Sequence, residues 1–149
     1  MTMLIQNLKT YFRQHPDQPA VSMHQTSSDI KRIFQKRKDR TLAVIDANMK
    51  FQGIIERATF TQKISEMHQP RTQNFLPASE FITHTPKPIP ASIGFKESIL
   101  RMVHMDLKYL PVEHNGQFIG LLQERDIRNL IIMENEAPKT DNLSFANAA

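Results

Sequence analysis

The stretch YLPVEHNGQFIGLLQERDI, Tyr109–Ile127, decides how the chain is read. At its centre stands Asn115-Gly116. A two-residue type I′ turn needs positive φ at both central positions, which Asn and Gly tolerate best, so a hairpin is predicted here. The flanks Tyr109–Val112 and Phe118–Leu122 are apolar at nearly every position. A strand with one wet face would alternate; a near-continuous apolar run implies that both faces are covered. Gly120 interrupts the second strand, and a strand glycine marks a bulge or the close approach of another backbone or of a ligand. Both alternatives stay open on sequence alone. Asp126 lies six residues further on, in the first turn of a predicted helix. A carboxylate there either complements the helix dipole on a solvated face or has a specific partner.

The pattern occurs twice. RTLAVIDANMKFQGIIERATF (40–60) aligns with KYLPVE-HNGQFIGLLQERDI (108–127) after a one-residue deletion in the second copy. Val44 then matches Val112, Asn48 Asn115, Phe51 Phe118, Gly53 Gly120, and Ile54-Ile55 Leu121-Leu122. Upstream, SSDIKRIFQKRKD and FKESILRMVHMDL place Ile30, Ile33, Phe34 and Ile99, Met102, Val103 at i, i+3, i+4. That spacing predicts two short amphipathic helices, with Ser28 and Asp29 as candidate caps of the first. Further upstream, LKTYFRQHP (8–16) resembles ASEFITHTP (78–86), each leading into a short strand, AVSM (20–23) and KPIP (87–90). Each copy is therefore predicted to be a strand, a helix, a two-stranded hairpin and a final helix, the final helices near 57–67 and 124–134. The first repeat is placed at 5–67 and the second at 78–134. HQPRTQNFLP (68–77), with two prolines, is the link, and the polar, aperiodic stretch 135–149 is expected to be a loose tail. A unit of about 50–60 residues alone buries little surface, so the two copies are expected to pack on each other.

Composition narrows the function classes. The chain has 149 residues, 40% of them apolar, with a formal charge of +4. That modest positive charge suits a phosphate-bearing small ligand as well as nucleic acid. It has no cysteine, so neither a disulfide framework nor a thiolate metal site. No run of 18 apolar residues predicts a transmembrane helix, and MTMLIQNLKTYFRQ lacks the features of a signal peptide; a cytoplasmic location is expected by elimination. His15, His24, His68, His84, His104 and His114 form no H-x-x-x-H or H-E-x-x-H pair, so no metal site is expected. The chain contains no Gly-rich phosphate loop, no G-x-S-x-G elbow and no nameable nucleophile–base pair, which argues against an enzyme. KRIFQKRKDR (31–40) is the densest basic run, with six Lys and Arg. Its ordinary meaning is a solvated helix face. A nucleic-acid role would need salt-sensitive phosphate contacts, and Phe34 lies on the apolar stripe, badly placed to stack on bases.

Taken together these segments resemble a tandem pair of cystathionine-β-synthase-type (CBS) domains, the Bateman module. The resemblance rests on SIGFKESILRMVHMDLKYLPVEHNGQFIGLLQERDI in the second copy, TSSDIKRIFQKRKDRTLAVIDANMKFQGII in the first and the lead-in ASEFITHTPKPIP, and covers about residues 5–134. It implies an α/β (α+β) fold of two β-α-β-β-α repeats packed sheet to sheet with pseudo-two-fold symmetry and two clefts between them. It further implies pairing into homodimers, a candidate ligand of the AMP, ADP, ATP or other adenosyl class, no required cofactor, no chemistry of the module's own and a regulated protein partner. The family's ligand signature is a glycine, two apolar residues, Ser or Thr, two variable residues and an Asp that holds the ribose. Here it reads Gly120-Leu121-Leu122-Gln123-Glu124-Arg125-Asp126. Asp126 keeps the ribose position, where one carboxylate can accept from two neighbouring hydroxyls, and Gln123 replaces the Ser or Thr. In the first copy, Gly53-Ile54-Ile55-Glu56-Arg57-Ala58-Thr59 departs at both polar positions, so Glu56 and Thr59 are expected to leave that cleft impaired or empty. The resemblance places the adenine near Lys87, Pro88, Ile89, Leu110 and Pro111 and phosphates near Lys108 and Arg40. The leading expectation is a stand-alone regulatory pair that binds an adenosine-type nucleotide and signals through dimer geometry. The alternatives are a ligand-free dimeric interaction scaffold and, third, a nucleic-acid-binding module.

Overall fold

A computed structural model describes residues 7–129. The first two residues of the first repeat, the far part of the helix expected over 124–134 and the tail 135–149 lie outside the described residues.

A short helix α1 (Leu8–Arg13) comes first, capped by the Asn7 side chain, which accepts from the Thr10 N–H at 3.0 Å. The first repeat follows as β1 (Ala20–Ser22), α2 (Ser27–Lys36), β2 (Thr41–Ile45), β3 (Phe51–Glu56) and α3 (Arg57–Ser65). Helix α4 (Pro70–Phe75) and a 3-10 turn (Ala78–Phe81) lead into the second repeat: β4 (Ile89–Pro90), α5 (Phe95–His104), β5 (Tyr109–His114), β6 (Gln117–Gln123) and a helix, α6, described over 124–129. Each repeat carries one three-stranded sheet, ordered β1-β2-β3 and β4-β5-β6, with the first pair parallel and the hairpin antiparallel. Asn115 (φ 53°) and Gly116 (φ 77°) adopt the backbone that the predicted turn requires.

Two local readings are corrected and one is extended. The N-cap of α2 is Thr26, upstream of both candidates: its hydroxyl accepts from the Asp29 N–H, and the Asp29 carboxylate accepts from the Thr26 N–H at 3.0 Å. Asp29 therefore belongs to a reciprocal capping box and is not the cap itself. On α5 the expected stripe is narrower. Ser98 and Met102 are buried, whereas Val103 is 68% exposed. Ser98 can be buried because its hydroxyl donates to the Gly94 carbonyl at 2.9 Å. The link at 68–77 is itself partly helical, since Pro70 occupies the first position of α4, where a missing N–H costs nothing.

Packing explains why both hairpins are apolar throughout. One core joins the hairpins directly: Ala43 and Ile54 of the first meet Tyr109, Phe118 and Leu121 of the second. Phe51 stacks on Phe118 at 6.1 Å, and the Phe118 N–H donates to the Met49 carbonyl at 2.7 Å. The other two cores each contain the lead-in of the opposite repeat. Leu8, Tyr11 and Phe12 of α1 pack with Ile89, Met102, Leu110 and Leu122 of the second repeat. Ala78 and Phe81, which precede the second repeat, pack with Ile30, Leu42, Ile55 and Phe60 of the first. The repeats therefore exchange their lead-ins, a pseudo-two-fold arrangement that sequence alignment of the copies does not by itself reveal.

Candidate functional site

Gly120 lies opposite Val112 in its ladder, as Gly53 lies opposite Val44. A Cβ built on Gly120 would fall within the Phe12 ring; one built on Gly53 would meet the Ile82 and Thr85 side chains. Both alternatives left open by the sequence are observed together: each ladder shifts register beside its glycine, and another part of the chain closely approaches it. Each glycine makes room for the lead-in of the opposite repeat.

The exchange continues at the ends of the hairpins. Thr41 opens β2 and its hydroxyl lies 3.5 Å from the Gln123 side-chain oxygen at the end of β6. Tyr109 holds the equivalent place in β5 and donates to the Glu56 carboxylate, at the end of β3, at 2.6 Å. These two contacts mark two related seams between the repeats.

At the first seam α1 lies over β6 and the start of α6. Asp126 is 7% exposed. Its Oδ1 accepts the Tyr11 hydroxyl at 2.7 Å, and its Oδ2 accepts the Gln123 N–H at 2.8 Å. Burial holds its pKa above the ordinary carboxylate value, a shift that the Tyr11 and Gln123 bonds oppose. Burial also pushes the Tyr11 phenol up, helped by the same carboxylate. His15 stacks on Tyr11 at 4.3 Å, and the Gln18 side-chain oxygen accepts the Leu121 N–H at 2.9 Å. The dipole-complementing reading of Asp126 as a solvated residue therefore fails: the carboxylate is buried and has two specific partners.

At the second seam Glu56, Tyr109 and His84 form a hydrogen-bonded set. The Tyr109 oxygen is 2.6 Å from His84 Nε2, and their rings stack at 5.3 Å. The Thr83 hydroxyl lies 2.9 Å from His84 Nδ1. Tyr109 is pushed up by burial and by its bond to Glu56. Thr59, at the position matching Asp126, sits half-buried on α3.

The remaining candidates are dispersed. Ile89 and Leu110 are core residues of the second repeat, 3% and 1% exposed, and Pro111 is buried beside them. Lys87 and Pro88 follow Thr85, whose hydroxyl donates to the Gln52 carbonyl at 3.1 Å, and lead into β4. Lys108 and Arg40 are exposed. The lead-in residues near Asp126 are Tyr11, bonded to it, and His15, stacked on Tyr11. The one signal for them in the sequence was the similarity of LKTYFRQHP to the second lead-in, which shows equivalence but not exchange.

Two shallow cavities open elsewhere on the surface. One, of about 540 Å³, is lined by Arg71, Thr72, Phe75 and Leu76; the other, of about 340 Å³, by Lys9, Phe12, Arg13, Pro16, His114 and Ile119. Neither is lined by Asp126. Among the described residues no helix is long and apolar enough to cross a membrane, and no group of three or more His, Cys, Asp or Glu side chains is placed to hold a metal ion.

No family model and no curated protein matches the chain. Solved structures do. An acetoin-utilization-type protein (AcuB) from Vibrio cholerae is similar with a TM-score of 0.72 at 20% identity, covering 86% of this chain and 93% of its own. CBSX2 in complex with AMP gives 0.65 at 16% identity, covering 91% and 97%. The CBS domain of a bacterial CNNM/CorC-family Mg2+ transporter in complex with ATP gives 0.63 at 10% identity, covering 89% and 86%.

Proposed function

From the fold of a tandem CBS-domain pair, which this chain has, we propose that the protein is a regulatory module that binds an adenosine-type nucleotide at the Asp126 seam. The observation that carries the proposal is the Asp126 carboxylate itself. It is buried between the repeats and already accepts one hydroxyl, from Tyr11, at 2.7 Å. A ribose hydroxyl is the same kind of donor, and a carboxylate is the acceptor suited to it. The AMP and ATP complexes of two structurally similar CBS proteins support the ligand class. Gln123 keeps its N–H on Oδ2 while the sugar takes the place of the Tyr11 hydroxyl on Oδ1. Ligand entry then displaces α1. A ligand shifts a conformational equilibrium only through differential affinity for its two states, and competition with Tyr11 supplies that difference. The Glu56 seam, filled by its own Tyr109–His84 set, stays without nucleotide.

The module carries out no reaction of its own, acts in the cytoplasm and passes its signal through a homodimer to a protein partner. Leu100, Val103 and Met105, 53%, 68% and 58% exposed, form an apolar edge at and beyond α5 that supports self-association. Thermal-shift screening with AMP, ADP, ATP and S-adenosylmethionine tests the ligand. Stabilisation by at least one compound, lost in Asp126→Asn, supports the proposal. No response at millimolar concentration contradicts it.

One observation favours a second reading, the ligand-free scaffold. Both Asp126 oxygens are satisfied from within the chain, so Tyr11–Asp126 is also a sufficient structural pair. The second repeat's lead-in has Phe81 at the position of Tyr11, and Thr59 takes the position of Asp126, so these two matched positions keep the hydroxyl and the carboxylate together or lose them together.

A further inference from the structure

The basic run 31–40, expected to be only a solvated face, ends at the Asp126 seam. Asp39, 5% exposed, is the point of convergence. Arg37 Nε donates to its Oδ2 at 2.7 Å, and Arg125 Nη2 lies 2.7 Å from its Oδ1. Arg57 donates to the Asp39 carbonyl at 2.7 Å and sits over the Phe34 ring at 4.8 Å. Two guanidiniums thus hold the buried carboxylate and a third holds its backbone carbonyl; the further anion on Arg37 is Asp17, an almost fully exposed side chain 2.8 Å away. Arg37, Arg57 and Arg125 gather around Asp39 where the two repeats meet, with the Asp126 carboxylate also within reach of the Arg125 charge.

The three arginines are not held alike. Arg57 is fixed by carbonyls and the ring, and Arg37 is gripped from two sides. Arg125 is 46% exposed, and its contact with Asp39 lacks hydrogen-bond alignment, so Oδ1 has no hydrogen-bond partner among the described residues. Only the Arg125 half of this pair is solvent-exposed, and with its contact out of line the guanidinium fork is free to turn to a better acceptor. The Gln123 side-chain nitrogen, buried beside Thr41, likewise has no hydrogen-bond partner among the described residues. Arg125 directly precedes Asp126 in the chain. Their side chains leave the helix in different directions, yet the Arg125 charge still acts on the Asp126 carboxylate.

We infer that Arg125, backed by Arg37 and the fixed charge of Arg57, forms a phosphate-binding subsite of the Asp126 seam. The inference rests on the nucleotide reading for its ligand, but the anion chemistry is testable apart from it. Arg125 leaves Asp39 to take a phosphate in a bidentate fork, and Arg37 keeps Asp39 paired. This assigns the phosphates to residues other than Lys108 and Arg40.

The test titrates ATP, adenosine and inorganic pyrophosphate into the full chain and into Arg125→Gln and Arg125→Lys, with folding checked by circular dichroism. ATP and pyrophosphate should bind the wild type and weaken about tenfold or more in Arg125→Gln, as expected for lost charge-assisted bonds. Arg125→Lys should recover only part, because a point charge lacks the fork, and adenosine should bind all three alike. Pyrophosphate binding that weakens in Arg125→Gln without any adenosine binding supports the anion subsite while the nucleotide reading fails. Adenosine and ATP binding that is unchanged in Arg125→Gln, or no pyrophosphate binding to the wild type at about 10 mM, far weaker than an ordinary small-ligand site, overturns the inference.

Discussion

Gly120→Ala tests the exchange of lead-ins on which both seams depend. An alanine Cβ there would overlap three atoms of the Phe12 ring, Cγ, Cδ1 and Cε1. Phe12 is 3% exposed and its ring meets Tyr11 edge-on at 5.2 Å, so it cannot swing aside without moving α1. Overpacking of this kind costs about 1–3 kcal/mol, and the roughly 0.8 kcal/mol gained by burying one more methyl is already contained in that net cost. With a urea dependence of about 2 kcal/mol per molar, a loss of about 2 kcal/mol lowers the unfolding midpoint by about 1 M. Phe12→Leu removes the opposing ring atoms and, as a partial large-to-small change, alone costs less than the ~3–5 kcal/mol of a Phe→Ala truncation. Combined with Gly120→Ala it should be less damaging than the sum, with a coupling of about 1 kcal/mol. A wild-type midpoint for Gly120→Ala, or strict additivity of the pair, would refute the packing of α1 over β6.

Four further outcomes follow from the same geometry. Tyr11→Phe removes a hydrogen bond to a buried carboxylate and should cost about 1.5–3 kcal/mol in urea unfolding while tightening nucleotide binding; unchanged stability would contradict the contact. Asp126, with its pKa raised by burial, contributes stability that is fully present below the ordinary carboxylate value and is lost as pH rises through the raised one. Wild-type midpoints should therefore fall relative to those of Asp126→Asn as pH rises from acid to neutral, and parallel profiles would count against a buried carboxylate. Thr26→Ala removes the hydroxyl half of the α2 capping box and should destabilise by about 0.5–2 kcal/mol; Asp29, held low chiefly by the Thr26 N–H, contributes stability present above the ordinary carboxylate value and lost as pH falls through its lowered one, read as a shrinking difference between wild type and Asp29→Asn in acid. Val103→Glu should shift sedimentation from dimer towards monomer at unchanged helicity, and an unaltered dimer would move the interface elsewhere.

The two halves were legible because their signals are local. Asn115-Gly116 specifies a turn whatever surrounds it, and the matched pairs Val44/Val112 and Gly53/Gly120 expose the repeat. The capping of α2 was legible to within two residues, since Ser28, Asp29 and Thr26 are all competent caps and only the reach of the Asp29 side chain back to the Thr26 N–H decides between them. Asp126 could be singled out from its distance to Gly120. Its partners could not, because Tyr11 is 115 residues away and nothing local says that a lead-in crosses to the other repeat. The same crossing explains why Ile82 and Thr85, just before the second repeat in sequence, lie against Gly53 of the first. The basic run ends beside Arg125 through a separate long-range contact, between Asp39 and a residue just after β6, which no local pattern signals.

The most direct test of the central claim is a calorimetric comparison of ATP with 2′,3′-dideoxy-ATP on the intact protein. The account predicts saturable binding of ATP and binding at least about tenfold weaker for the analogue, because each hydroxyl–carboxylate bond lost is a charge-assisted one. Equal affinity for the two nucleotides would show that no carboxylate at the seam holds a sugar diol.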